Sequence, residues 1–317
     1  MSLHRDQTLR CWQQASGPHH WRPHTRLSLE APRPITTVVG NHQVWATGDD
    51  DGTIRLWSPQ DHRWLGEPLR LSGAITALAL NEQATWLAAG DSTGAVTLWH
   101  LSSQTRQWQG LAHSEPPTVL AFSADGERLF SGSRDRTIQA WSCPIEPQEE
   151  SPAEPIAQLT GHLRQVQCLW AFPQGKQLLS GSQDGTIYLW DVAHQQVQHQ
   201  WQSQDRLIYG VTVDAQGNPL AIAGSAQTLE VWDIRRDQQR FTLTDEGSTL
   251  WHVSLSPDGQ CLLSASQEGH LHLWRVATGE HCATFRVDRP YEAMEIGGCT
   301  GLSPVERAIL HTLGAID

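Results

Sequence analysis

A tryptophan closes each of seven similar stretches of this chain, at Trp12, Trp57, Trp99, Trp141, Trp190, Trp232 and Trp274. The closing residues lie 45, 42, 42, 49, 42 and 42 positions apart, and each stretch reads roughly Ser-Gly-Ser-x-Asp-x-Thr-Ile-x-x-Trp. A period in the forties constrains the fold severely, because each unit is a small β-element that must bury its apolar face against the next. The unit ending at Trp190 is the most regular. Its apolar residues fall in short runs, VQCLWAF, QLLSGS and TIYLW, split by Pro-Gln-Gly and Gln-Asp-Gly turns, with no helix-period stretch between them. A more polar fourth segment, QQVQHQW, follows. The expected architecture is all-β: a propeller of about seven four-stranded blades over residues 1–287.

Composition narrows the partners. The formal net charge is −12, and Lys176 is the only lysine. Neutralising phosphates requires a surplus of cations on one face, so nucleic acid and an anionic membrane surface are not expected. No run of apolar residues is long enough for a spanning helix, and the start MSLHRDQTLRCW lacks the apolar stretch of a signal peptide. The six cysteines are scattered without any Cys-x-x-Cys, as in reduced thiols, and a cytoplasmic location is expected.

The turn between second and third strands carries the polar chemistry. An aspartate there accepts hydrogen bonds from turn amides and from a histidine that precedes the first strand. Two buried sets have the required spacing: His162, Ser180, Asp184 and Trp190, and His113, Ser131, Asp135 and Trp141, with the indole N–H as last donor. Their expected role is structural, since each bond contributes ~0.5–1.5 kcal/mol and a broken chain leaves buried groups unpaired.

The Gly161-His162, Trp190-Asp191 and Trp232-Asp233 pairs and the SGSxD turns resemble the WD40-repeat family over roughly residues 2–287. That resemblance implies a WD40-type β-propeller of four-stranded blades. The sequence departs from the pattern in places. The turn aspartate is present at Asp6, Asp51, Asp135 and Asp184, becomes Glu268 in the last unit, and is replaced by Thr93 and Ala226 in two others. Several blades are therefore expected to rely on packing.

Three segments break the repeat. Residues 1–30 supply a turn, a third strand and an outer strand but no inner pair, so the first blade is expected to be incomplete. The last unit has its own outer strand, EHCATFRV. The chain then reads as the carboxyl part of a longer polypeptide, or the gap is filled by residues near Tyr291–Ile296. Cys143–Ile156 is an acidic, proline-rich insertion, expected as a solvated loop, or alternatively as a docking loop for a basic partner. The tail, 288–317, places Ser303-Pro304 and Glu306 ahead of Val305, Ile309, Leu310 and Leu313, which predicts a short amphipathic helix. YEAMEIGGCTGL and the closing LGA resemble the tail of bacterial, especially cyanobacterial, WD40 proteins of signalling-NTPase type. This resemblance implies an upstream NTPase-type module.

Catalytic strings fit poorly. Gly90-Asp91-Ser92-Thr93-Gly94 matches a nucleophile elbow, which needs a strand-to-helix turn, but it falls between two strands. Asp49-Asp50-Asp51-Gly52 lacks the further ligands of a calcium loop. There is no His-Glu-x-x-His, no His/Cys zinc spacing and no P-loop, so neither a metal nor a cofactor is expected. Binding of a protein or peptide remains. The turns after second strands and the loops into first strands share one face of a propeller, which nominates Arg5, Asp50, Arg134, Gln183, Tyr209, Trp251 and Gln267 as contact residues. Thr36, Thr76 and Thr118 lie near the same loops. Trp21, Trp64, Trp108 and Trp201 fall in outer strands, either capped by loops or forming a lateral surface. The expected function is a non-catalytic interaction scaffold, by resemblance the sensor or partner-binding part of a bacterial signalling system. The alternatives are a propeller enzyme with an acidic channel site and a remnant of a larger WD40 NTPase.

Overall fold

The computed structural model describes residues 2–3, 8–14, 21–28, 33–61, 63–111, 113–144, 151–203, 207–213, 220–224, 228–233, 236, 238–244, 250–256, 259–266 and 270–285, with side chains from residue 33 onward except at 151–152, 220–224, 228, 244, 250–251 and 285. These residues are all-β, in seven sheets. Five contain four or more strands. The second sheet is Ile35–Gly40, Trp45–Asp49, Thr53–Ser58 and Arg63–Arg70. The third is Ile75–Leu80, Trp86–Asp91, Ala95–His100 and Thr105–Leu111; the fourth is Pro117–Phe122, Arg128–Ser133, Thr137–Ser142 and Ala157–Thr160. The fifth is Val166–Ala171, Gln177–Ser182, Thr186–Asp191 and Gln196–Gln202, and the seventh is Leu250–Leu255, Cys261–Ser266, Leu271–Arg275 and Glu280–Phe285. Within each the strands run antiparallel in chain order, so every blade is a meander closed by short turns.

Second strands of the third, fourth and fifth sheets, such as Trp86–Asp91, are buried along nearly their whole length, because each has a neighbouring sheet on both faces. That explains their continuous small and apolar composition. The glycine of Ser-Gly-Ser has a steric reason. A Cβ on Gly48, Gly132 or Gly181 would stand 2.5, 2.7 or 2.5 Å from Ile75, Val166 or Ile208, in each case on the next sheet's inner segment. The hydroxyls of Thr36 and Thr118 reinforce this approach: Thr36 donates to the Ile75 carbonyl at 2.7 Å, and Thr118 to that of Val166. Five apolar clusters fill the spaces between consecutive sheets from the second to the seventh. The core is thus a series of inter-sheet layers.

Two sheets have three strands. The first is Ser2–Leu3, Thr8–Gln14 and Trp21–Ser28. The sixth is Leu220–Gly224, Thr228–Asp233 and Gln238–Thr244. Its inner position is taken by the segment carrying Ile208, Val211 and Val213, which are buried against Cys168, Leu179 and Trp201 of the fifth sheet. The seventh sheet differs on the side away from the sixth. There Leu263 and Leu271 are half-buried, whereas the matching Leu179 and Ile187 of the fifth sheet are buried.

Part of the Cys143–Ile156 insertion is ordered against the body of the molecule. Ser151–Pro152 pairs in parallel with Trp108 and Gln109 on the outer edge of the third sheet, and Ala153 packs beside Trp108 and Trp141. Residues 145–150 lie outside the described set, as do Tyr291–Ile296 and the Ser303–Leu313 segment read as a helix.

Candidate interaction face

The loop into the fourth sheet brings His113 down beside the second-to-third-strand turn. His113 Nδ1 lies 3.0 Å from Asp135 Oδ2, its Nε2 lies 2.8 Å from Ser131 Oγ, and Trp141 Nε1 donates to that hydroxyl at 3.1 Å. With the carboxylate on Nδ1, the proton sits there and Nε2 accepts from serine. The fifth sheet repeats the set. His162 Nε2 lies 2.6 Å from Ser180 Oγ, Trp190 Nε1 donates to Ser180 at 2.7 Å, and Nδ1 faces Asp184 at 3.5 Å and Thr186 at 2.9 Å. Burial lowers the His113 pKa against the opposing pull of Asp135, so the ring is held neutral. Burial pushes Asp135 and Asp184 up, but hydrogen bonds from the Thr137 and Thr186 turns and the adjacent histidines outweigh it, and both stay below the usual carboxylate range. Every polar atom of these sets faces another within the blade.

Other sheets solve the same problem differently. In the third, where Thr93 stands at the aspartate position, Asp91 two residues earlier accepts from the Thr93 amide at 2.8 Å and its hydroxyl at 2.5 Å. In the second, Asp49 and Asp51 both cap Thr53, and Asp49 also holds Arg55 at 2.7 Å. These carboxylates of the Asp49–Gly52 run are thereby engaged by their own turn. In the sixth, buried Glu230 takes the serine's role, accepting from the Trp232 indole at 3.0 Å and from Ser203 at 3.0 Å. The seventh keeps the bond from Trp274 to Ser264, at 3.0 Å. The Trp57 and Trp99 indole N–H groups are buried without a hydrogen bond. Thr47 and Ala89 hold the register positions that serine holds in the fourth and fifth sheets.

What faces outward is a separate set of residues. Asp50 and Arg134 are exposed and Gln183 is half-buried, each in the turn after a second strand. The Arg134 amide donates to the Pro116 carbonyl at 3.2 Å and the Gln183 amide to that of Gln165 at 3.1 Å, which pins each turn to its own lead-in loop on one face. Tyr209 is half-buried on the segment leading into the sixth sheet. Trp251 lies within the strand Leu250–Leu255, but its side chain, together with Arg5 and Gln267, falls outside the described residues. Thr36 and Thr118 point between sheets and are unavailable for contact.

The sequence reading missed two neighbours on this face. Leu163 is 75% exposed directly after His162, and Arg164 beside it is exposed. Because Gly132 abuts Val166, the Arg134 turn and the Leu163–Arg164 loop sit at the same end of adjoining sheets. Among the described residues neither Arg134 nor Arg164 has an ion-pair partner. Arg136 sits in the same turn at φ 72°, the left-handed position that Gly52, Gly94 and Gly185 fill elsewhere. A large side chain is held there at a cost of ~1–2 kcal/mol. The Gly-His of one unit, followed by an exposed leucine and arginine, is the signal that would have found this loop.

The lateral tryptophans divide. Trp108 stacks on Trp141 at 5.2 Å and is buried, as is Trp201, while Trp64 is 38% exposed, edge-on to Trp57. The side chain of Trp21 is not among those described. Burial pushes the Cys143 and Cys168 thiols up to about 12, which suits packing rather than nucleophilic chemistry.

Four segments, 25–58, 105–142, 153–191 and 237–275, match the family described as WD domain, G-beta repeat. Root initiation defective 3 of Arabidopsis thaliana is 39% identical over 70 residues, covering 22% of this chain and 16% of that protein. The LST8 homolog of Drosophila melanogaster is 26% identical over 144 residues, 43% of this chain and 45% of its own. The small ribosomal subunit protein RACK1 of Neurospora crassa is 32% identical over 114 residues, 33% and 35% of the two chains. The matches therefore span less than half the length of these curated relatives. Among solved structures, the computationally designed protein Ika8 superposes with a TM-score of 0.67 over 79% of this chain and 74% of that one, at 21% identity, a likeness of fold.

Proposed function

Since this chain is built from WD40 repeats, we propose that it is a non-catalytic platform for a protein or peptide, bound on the face that carries Arg134, Leu163, Arg164 and Gln183. The observation that carries this reading is the division of labour among polar residues. Histidine, serine and aspartate, the groups an enzyme would use, are consumed by hydrogen bonds inside the fourth and fifth sheets. Arginines without an ion-pair partner among the described residues and an exposed leucine are displayed beside them, in a chain whose net charge is −12. Arginine at such a site anchors carboxylates, and an exposed leucine beside it supplies apolar area. The partner in this reading is a loop or peptide that pairs an acidic side chain with an apolar one.

In the same reading the seven sheets are blades of one ring, its gap filled by residues near Tyr291–Ile296, and 288–317 is a tail with a short helix. Asp50, Tyr209 and Trp251 extend the contact face around that ring, with Arg5 and Gln267 completing it. In this reading a cytoplasmic location rests on the scattered cysteines, and pairing with a signalling NTPase on the resemblance of the tail.

Panning a random peptide library on the purified chain tests the face. Peptides rich in Asp or Glu beside an apolar residue are expected, and Arg134→Glu should lose them while its melting curve is unchanged. Peptides without acidic residues, or equal capture by Arg134→Glu, would overturn the proposal.

A further inference from the structure

The last two strands of the seventh sheet carry a polar arrangement unlike the His–Ser–Asp sets of the fourth and fifth. Leu271–Arg275 and Glu280–Phe285 pair with His272 opposite Thr284 and Trp274 opposite His281, so the register slips by one residue at Cys282. Along a regular strand, positions 281 and 284 would point to opposite faces. The bulge re-aims His281, and the side chains of His272, His281 and Thr284 meet on one face. His272 Nδ1 lies 3.4 Å from His281 Nε2 and 3.1 Å from Thr284 Oγ1, and that hydroxyl lies 3.0 Å from His281 Nε2.

The same bulge recurs in the third and sixth sheets, which serve as internal comparisons. There the equivalent positions hold Thr97, Arg106 and Gln109, and Glu230, Gln239 and Thr242, with no imidazole among them. Their contacts include ordinary donor-to-acceptor bonds: Arg106 donates to Gln109 at 3.3 Å and Gln239 to Thr242 at 2.8 Å. The triangle in the seventh sheet cannot be closed that way. A neutral imidazole nitrogen carries either a proton or a lone pair, and threonine has one hydroxyl proton, so at most two of the three contacts hold a hydrogen bond. A cation that takes lone pairs from the three atoms would satisfy them together. The spacing fits one, because two zinc–nitrogen bonds of about 2.0–2.1 Å at a tetrahedral angle span about 3.4 Å. His281 and Thr284 are exposed, which leaves further coordination positions open to water. Among the described residues no group of three His, Cys, Asp or Glu is placed to hold a metal, so the arrangement is a chelate of two imidazoles. Its members lie nine residues apart across a bulge, outside any zinc spacing legible in the sequence.

We propose that His272 and His281 form a binding site for Zn²⁺ or another imidazole-preferring divalent cation, held between His272 Nδ1 and His281 Nε2, with the Thr284 hydroxyl and water completing the shell. Imidazole ligands select zinc, nickel and copper over magnesium and calcium, which prefer oxygen. Two protein nitrogens make an exchangeable site, whereas a closed structural site has four protein ligands.

Calorimetric titration of Zn²⁺ into the chelator-stripped full chain at about pH 7.5, where free imidazole is neutral, is the test. One site tighter than the rest is expected, weakened at least about tenfold in His281→Gln because a single imidazole no longer chelates. His281 is exposed, so the melting curve of this variant without zinc should match the parent's. His272→Gln/His281→Gln should bind no more weakly than His281→Gln alone, and His42→Gln, an exposed histidine near the second sheet, should leave the site unchanged. Thr284→His sets a third imidazole on the triangle and should tighten binding at least about tenfold. No saturable zinc site, equal affinity in the parent and His281→Gln, an equal loss in His42→Gln, or no gain in Thr284→His would each overturn the proposal.

Discussion

Ser131 accepts the Trp141 indole proton and gives its own to His113, so one oxygen satisfies two buried groups. Ser131→Ala should therefore cost ~2–3 kcal/mol, read as a lower urea midpoint with an unchanged slope. Ser264→Ala should cost only ~1 kcal/mol, because the indole of Trp274 is the partner at stake there. Acid acts on the same sets. The His113, Asp135 and Asp184 values are all depressed on folding, so each contributes stability at high pH that fades as pH falls. Unfolding free energy should decline first below about pH 6.5, where unfolded histidine gains its proton, and again below about pH 4, where unfolded carboxylates do. A urea midpoint measured from pH 8 to 3 checks this, and His113→Gln should flatten the upper stage. These sets were legible in sequence because strand register fixes the spacing of His, Ser, Asp and Trp. Glu230 and Asp91 were not. Each reaches a function assigned to another position, and only the side chain's path through the sheet reveals it.

At the scale of strands, the second strand's glycine decides how closely two sheets approach. Gly132→Ala would set a methyl carbon 2.7 Å from Val166, and overpacking of this kind should cost ~1–3 kcal/mol. Thermal unfolding with a Val166→Ala partner substitution checks the mechanism, since the double variant should recover part of the loss. The seventh sheet has Ala265 at this position, half-buried. The turn-and-alternation pattern made the strands readable, and the period gave their order. Thr36 and Thr118, placed by the sequence near the first-strand loops, turn between sheets, because a hydroxyl within reach of the next sheet's carbonyl is satisfied there. The strand pairing of Ser151–Pro152 left no periodic trace either: two residues in a proline-rich loop find an edge through tertiary approach alone.

Across the whole molecule, consecutive sheets from the second to the seventh share their cores, so they stand or fall as neighbours while their turns project at one end. A repeat of this kind separates stability from display: residues facing the next sheet hold the body, and residues in the turns are free to be chosen for a partner. That a binding platform was expected followed from the period, whereas its chemistry did not. The loop holding Leu163 and Arg164 departs from the repeat only in side chains that no structural rule requires, and such residues become visible once their exposure is known. The most direct measurement is a calorimetric titration of a panned acidic peptide into the parent, Arg134→Glu/Arg164→Glu and Ser131→Ala, with the melting temperature of each. Charge reversal should weaken binding by at least about tenfold at unchanged melting temperature, while Ser131→Ala lowers the melting temperature and leaves the affinity of the folded protein alone. Equal affinity for the parent and the charge-reversed chain would contradict the assignment of this face.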